Sequence, residues 1–244
     1  MDIQYITGRN PVIEVLKNRE DVEKVLVLKG ELKGSINKIV GIAKDRGTII
    51  QEVNQRFLDD ISDGGVHQGV AAVISPFKYS SIDEILDYAR SREEDPFVLI
   101  LDEIEDPHNL GAIARTAECA GVHGIIIPER RSASVNQTVY SSSAGAVEYM
   151  KIAKVTNISQ SLKKLKEEGL WIYGADMDGE SYYRSNLTGS IGLVIGNEGK
   201  GISRLVKENC DVILSIPMLG KISSLNASNA ASILMYEVVR QNNG

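Results

Sequence analysis

Three stretches of this chain combine polar side chains with turn signals, and each could do chemistry. In "DEIEDPHNLGAIARTAECAG", Asp102 to Gly121, the pair Asp106-Pro107 marks a turn. Asn109 could cap the helix that follows, with Arg115 in its second turn. Taken alone, Arg115 reads equally as a surface arginine and His108 as a turn residue. In "LVIGNEGKGI", Leu193 to Ile202, Gly199 and Gly201 flank Lys200 between a buried strand and a helix. That pattern suggests a phosphate cradle at a helix N-terminus. It lacks both the Ser or Thr that a Walker A loop needs after its lysine and the Rossmann order of glycines. Glu198 inside this loop would repel a phosphate, yet could accept bonds from a guanidinium or a ribose hydroxyl. The third stretch is "SIPMLGKISSLNASNAASILMYEVV", Ser215 to Val239. Between its apolar ends lie ten mostly polar residues, Gly220 to Asn229. A plain connection needs only about two to six. Ser228 or Asn229 is a natural N-cap for the last helix. One cap leaves Gly220, Ser224 and Asn226 without a structural task, so a binding loop for a polar small molecule is the better explanation.

The elements that must position these loops follow from the apolar pattern. Residues 1–75 read as a small α/β unit: a helix in "TGRNPVIEVLKN", a strand in "VEKVLVLKG", a helix in "KGSINKIVGIAKDRG" closed by Gly47, a strand in "TIIQEV", a short helix in "RFLDDIS" and a strand at the end of "GGVHQGVAAVI". Residues 76–95 read as a linker in which Ile82 to Ala89 could form an amphipathic helix, with "SREED" as its flexible part. Residues 96–244 alternate strands and helices, with "VYSSSAGAVEYMKIAKV" taken as helical. That alternation predicts a mostly parallel sheet with helices on both faces. Ligands in such sheets bind at the carboxyl ends of the strands, where the three loops should converge.

With 244 residues, 43% hydrophobic and 25% charged, the chain suits a globular protein of one or two domains. Its net charge of −6 argues against a non-specific nucleic-acid binder but leaves room for a local basic patch. No apolar run reaches the roughly 18 residues needed to span a membrane, and "MDIQYITGRNPVIEVLKN" has no signal-peptide pattern. Cys119 and Cys210 stand in apolar contexts without metal-ligand spacing. The expectation is a cytoplasmic protein with buried, reduced thiols, no membrane segment and no metal.

Together and in this order, "DPHNLGAIARTA", "LVIGNEGKGI" and "IPMLGKISSLNASNAASILMYE" resemble the three motifs of the SpoU, or TrmH, family of RNA ribose 2′-O-methyltransferases. The match covers residues about 96 to 240. "ITGRNPVIEVL" and "HQGVAA" resemble the substrate-binding domain of the family's ribosomal-RNA branch, nearest the large-subunit (23S) rRNA guanosine-2′-O-methyltransferases. Ser223 and Ala227 stand where many members carry glutamate and valine.

The resemblance implies an α/β fold: a parallel-sheet domain with a trefoil knot of SPOUT type at 96–244 and a small L30e-like RNA-binding domain at 1–75. It implies S-adenosyl-L-methionine as cofactor, a homodimer with the active site near the subunit interface, and RNA, a guanosine of 23S rRNA, as substrate. By motif position it puts Arg115 first among the catalytic residues, with Asn109 and Glu198 orienting it or the ribose, and Ser224 and Asn226 shaping the site. Gly196, Ile216 and Leu225 match the cofactor-contact positions, with Met218 and Gly220 close by. Arg9, Asn10, His67 and His108 are the candidates for RNA contact. A guanidinium is a poor base, so a phosphate and ribose clamp suits Arg115 better than proton abstraction. Three rivals stay open: the same chemistry on a tRNA or another rRNA site, a non-catalytic RNA-binding assembly factor, and a nucleotide-phosphate-binding module built on "GNEGKG".

Overall fold

The computed structural model describes residues 4–30, 34–62 and 64–243. It divides into two compact units, Met1–Lys78 with Ser134–Tyr149, and Tyr79–Ala133 with Met150–Gly244.

The first unit begins β1 (Gln4–Thr7), α1 (Arg9–Asn18), β2 (Val22–Leu28), α2 (Ser35–Asp45), β3 (Ile49–Val53), α3 (Gln55–Ser62), β4 (Val70–Ile74). Its sheet runs β1-β4-β2-β3, with β2 and β3 parallel and β4 antiparallel to both its neighbours. Helix α1 forms because Pro11 is tolerated in the first turn and Val12, Ile13, Val15 and Leu16 make one apolar face, all of it buried. Gly47, at φ +67, closes α2 as the sequence indicates. Strand β4 is buried along its whole length, as a central strand must be.

Next come α4 (Ile82–Ser91), β5 (Phe97–Asp102), α5 (Pro107–Cys119) and β6 (Gly124–Pro128). Residues 76–95 are not a linker throughout. Ile82, Ile85, Leu86 and Ala89 of α4 are buried in the core of the second unit. Ser81 and Glu84 form a reciprocal capping box at the start of α4. The apolar spacing and the cap together make this segment part of the fold.

Between β6 and β7 (Ile152–Val155) lies α6 (Gln137–Ser142), followed by a 3-10 turn at Ala146–Tyr149. The stretch expected to be helical therefore holds a strand and two short helical pieces. Ala144 (φ 53) and Gly145 (φ +87) break the helix, and Ile152 and Ala153 are buried as a strand beside β6. Ser134–Tyr149 belongs to the first unit. Gly145 packs so tightly there that an added Cβ would lie 2.8 Å from Cβ of Glu14. Tyr140 gives its hydroxyl proton to Glu148, and an Arg19 Nη1 lies 3.7 Å from the same carboxylate.

The second unit continues with α7 (Ile158–Glu167), β8 (Trp171–Ser181), β9 (Ile191–Gly196), α8 (Arg204–Lys207), β10 (Val212–Ser215) and α9 (Ala227–Asn243). Its six strands are all parallel, in the order β10-β8-β9-β5-β6-β7. Helices α5 and α9 pack on each other, and α9 also touches β9. The last helix thus returns from the β10 edge to the middle of the sheet. Strand β8 carries a bulge: Ile213 pairs with Gly174, but Leu214 pairs with Glu180. The residues between are pushed out of the ladder at its carboxyl end.

Candidate active site

The bulge in the middle of β8 and the carboxyl ends of β9 and β10 surround a cavity of about 280 Å³. Strand β9 leads into Asn197–Gly201, closed on itself by two backbone bonds, Asn197 N–H to Gly201 O at 3.1 Å and Gly201 N–H to Asn197 O at 2.7 Å. The Gly199 N–H donates to Asn197 Oδ1 at 2.9 Å. These glycine amides are spent inside the loop, and the helix that follows, α8, has four residues. The loop is therefore not a phosphate cradle. Gly196 is required by contact: an added Cβ would lie 2.2 Å from the Gly201 carbonyl carbon and 2.3 Å from Ile202 N. Asp102, buried at the end of β5, accepts from Ser203 N–H at 2.7 Å and fixes the far end of the loop.

One oxygen of Glu198 collects three donors. Asn109 Nδ2 donates to Oε1 at 2.8 Å, Ala227 N–H donates to it at 3.1 Å, and Asn226 Nδ2 donates to it as well. Asn226 Nδ2 also reaches Asn109 Oδ1 at 3.0 Å. Each of the three loops contributes one side chain to this knot of hydrogen bonds. A carboxylate that takes charge-assisted bonds from two amides and a backbone N–H is held in one place.

Two helix caps differ from expectation. Asp106, not Asn109, caps α5, accepting from His108 N–H at 2.8 Å with Pro107 at the first position. Asn109 is thereby freed to sit buried against Glu198. Asn226, not Ser228 or Asn229, caps α9: its Oδ1 accepts from Ser228 N–H at 2.9 Å and from Ser228 Oγ at 2.5 Å. Asn226 thus has a structural task alongside its place in the site.

Arg115 is exposed and joins none of this. At about 100° per residue it stands roughly 120° around α5 from Asn109. Among the described residues it makes no hydrogen bond or ion pair. His108 and Cys119 are also exposed and share its side of α5. Cys119 is thus exposed rather than buried, and partial desolvation of its thiol, with the neighbouring Glu118 carboxylate second, holds it above the ordinary range. Cys210 is half-buried, and burial pushes its thiol up to about 12.

Gly196, Ile216, Met218 and Leu225 line the cavity, and so does Ser224. Gly220 does not. Ala175, Asp176 and Met177, from the β8 bulge, do line it and were not among the residues singled out from sequence. The rule that ligands bind at carboxyl ends of parallel strands applies to β8 as to β9 and was the available signal. Among the described residues no group of three or more His, Cys, Asp or Glu could hold a metal ion.

In the first unit, Arg9 and His67 have local structural partners. Arg9 Nε donates to Gln68 O at 3.1 Å, and Arg9 N–H donates to Gln68 Oε1 at 2.9 Å. This pins Gln68 at φ 52. His67 Nδ1 accepts from Gly69 N–H at 3.0 Å, so Nε2 carries the proton shared with Asp59 at 3.0 Å. Asn10 is exposed.

The model of the SpoU rRNA Methylase family matches residues 96–236, and that of RNA 2′-O ribose methyltransferase substrate binding matches residues 5–80. YacO of Bacillus subtilis, assigned to the TrmH family of tRNA/rRNA methyltransferases, is 45% identical over 98% of this chain and 96% of its own. The crystal structure of the SpoU methyltransferase AviRb from Streptomyces viridochromogenes, in complex with AdoMet, superposes with a TM-score of 0.79 at 26% identity, covering 98% of this chain and 90% of that one. The A. aeolicus TrmH/SpoU tRNA modifying enzyme superposes with a TM-score of 0.54 at 32% identity, covering 60% of this chain and 75% of that one. The parallel sheet, the small N-terminal unit and the three loops meeting at one end have the SPOUT architecture. On these matches the chain belongs to the SpoU rRNA methylase family of RNA methyltransferases.

Proposed function

We propose that this chain transfers a methyl group from S-adenosyl-L-methionine to a ribose 2′-OH of RNA, and that its target is a guanosine of 23S ribosomal RNA. The observation that carries the reaction is the junction of Asn109, Glu198 and Asn226 beside the cavity. The cavity suits a nucleoside cofactor. Ile216, Met218 and Leu225 give it an apolar wall, Gly196 leaves its backbone uncovered, and Asp176 and Ser224 add polar atoms. S-adenosylmethionine supplies a methyl group already activated by a positive sulfur, so the chain has only to place the hydroxyl and relieve it of its proton.

Each residue then has a role. Ile216 and Leu225 flank the adenine, and Met218 lies against the same wall. Glu198, held by three donors on Oε1, fixes the glycine loop and the start of α9 relative to α5. Asn109 and Asn226 act through that carboxylate and are positioning residues, while Ser224 faces the cavity from the third loop. Arg115, a guanidinium with no partner in its own chain's described residues, clamps the RNA phosphate and ribose.

Two observations support a homodimer built on α5 and α9. Ile233 and Tyr236 of α9 are 36% and 49% exposed. Arg115 lies on the exposed side of α5, to which α9 is packed. A second copy placed there would bring Arg115 to a shared site. The ribosomal target is supported by the two family matches, the SpoU rRNA Methylase model over residues 96–236 and the substrate-binding model over residues 5–80, whereas the tRNA-modifying enzyme superposes on only 60% of the chain. A cytoplasmic location completes the reading.

Ribose-methylation mapping of total RNA from cells lacking this protein tests it. Loss of one 2′-O-methylguanosine in 23S rRNA is expected. Loss of a tRNA methyl would move the target and keep the chemistry. No loss of any ribose methyl would overturn the enzyme reading in favour of an assembly factor.

A further inference from the structure

The β8 bulge places a second carboxylate in the cavity wall, away from Glu198. Asp176 is the sheltered member of the pair it makes with Asp178: their side chains are 16% and 86% exposed. Lys207 Nζ stands 3.1 Å from Asp176 Oδ2 and 3.7 Å from Asp178 Oδ2. Gly201, at φ +66, passes so close that an added Cβ would lie 3.4 Å from Asp176 Oδ2. The carboxylate is thus held from one side by a lysine on α8 and crowded from another by the glycine loop.

A carboxylate can accept about four hydrogen bonds. Asp176 takes one from Lys207 and a long one, 3.4 Å, from Asp178 N–H. Capacity for two more remains, and Asp176 is among the residues that line the cavity. Two donors on one rigid ligand, set about a hydrogen-bond spacing apart, are what a vicinal diol offers. The layout also matches a general solution in parallel α/β sheets. There, a glycine loop follows one strand, and an acidic residue further along the sheet binds the ribose hydroxyls of the nucleotide. Here the glycine loop follows β9, and Asp176 comes directly after Ala175, the last residue of the parallel neighbour β8 to pair with β9.

We propose that Asp176, steadied by Lys207, binds the ribose 2′,3′-diol of the nucleoside cofactor. This rests on the S-adenosylmethionine reading above. It makes Asp176 a binding residue for the cofactor sugar, apart from the chemistry at the target ribose.

The test is calorimetric titration of the full chain with S-adenosylhomocysteine and with 5′-methylthioadenosine. Both carry the diol, and only the first carries an ammonium group. Asp176→Asn and Asp176→Ala are expected to weaken both ligands by similar factors, about tenfold or more. Wild type should bind the 2′,3′-dideoxy analogue of methylthioadenosine about as weakly as Asp176→Ala binds methylthioadenosine itself. Loss confined to S-adenosylhomocysteine would put the carboxylate on the ammonium group and overturn the proposal. Unchanged affinity for both ligands would overturn it too, while leaving the cofactor reading intact. A wild-type chain that binds neither would instead refute the cofactor reading, and this proposal with it. Should Asp176→Ala fail to fold, the isosteric Asp176→Asn carries the same comparison.

Discussion

Asn109 and Glu198 lie 89 positions apart in the chain, and their side chains meet at 2.8 Å. The contact ties the first turn of α5 to the glycine loop after β9. Asn226 closes the triangle from the start of α9. Three loops that are separate in sequence are therefore one object in the fold, and a change in any of them should be felt in all.

Asn226→Ala removes both a helix cap and two hydrogen bonds of that triangle, both donated by Nδ2. We expect a loss of roughly 1–2 kcal/mol in stability from the cap. A drop in methyl transfer should accompany it. Urea unfolding and a methyl-transfer assay on the same preparation check both. Wild-type stability would show that Asn226 does not cap α9.

Gly196→Ala would place a methyl 2.2 Å from the Gly201 carbonyl carbon. Backbone cannot yield as a flexible side chain can, so the glycine loop must shift away from the cavity. Affinity for S-adenosylhomocysteine should fall at least tenfold in calorimetry. Near-wild-type binding would mean that the loop does not shape the cofactor site.

Arg115→Ala should leave stability within about 0.5 kcal/mol, as expected for an exposed side chain without partners. Cofactor affinity should stay within several-fold while methyl transfer is abolished. Full activity in this variant would remove Arg115 from the mechanism.

Glu148 offers a pH test in the first unit. Its side chain is 6% exposed. Burial raises its carboxyl above the usual range, more than Tyr140 and Arg19 lower it. Arg19 divides its charge, since its Nη2 is 2.6 Å from Asp21 and also donates to Ser75 O at 3.0 Å. A raised folded-state value means that this group's contribution is fully present below the unfolded value, about 4.3. It is lost as pH climbs through the folded value. Glu148→Gln does not titrate. The melting temperature of wild type minus that of Glu148→Gln should therefore shrink between pH 4 and pH 8. A widening gap would reverse the sign assigned to Glu148.

Ser81→Ala removes half of the capping box on α4. If that helix is part of the second unit's core, stability should fall by about 0.5–2 kcal/mol in denaturant unfolding. No change would return residues 76–95 to the status of a linker.

Much of this fold is visible in local pattern, because apolar spacing and turn residues act over a few positions. The face Val12, Ile13, Val15, Leu16 announces α1, and Gly47 and Gly121 stop their helices at positive φ as glycine readily does. The errors fall where a distant partner decides. "MKIAKV" has a pattern that either a helix or a strand would accept, and only β6 alongside makes Ile152–Val155 a strand. Asp106 and Asn109 are both good caps. Only the first caps α5, because the partner of the second, Glu198, lies on another loop.

By itself the sequence determined which residue types stand at which spacing: three polar loops after apolar strands, in the order that marks the SpoU family. Tertiary structure alone decided which side chains meet. It joined Asn109, Glu198 and Asn226, left Arg115 exposed on another side of α5, and brought Asp176 into the cavity through a bulge in β8. It also assigned Ser134–Tyr149 to the first unit. The physical reason is one of range. Helix and turn preferences are local, while a hydrogen bond across 89 positions exists only once the parallel sheet has set its strand ends side by side.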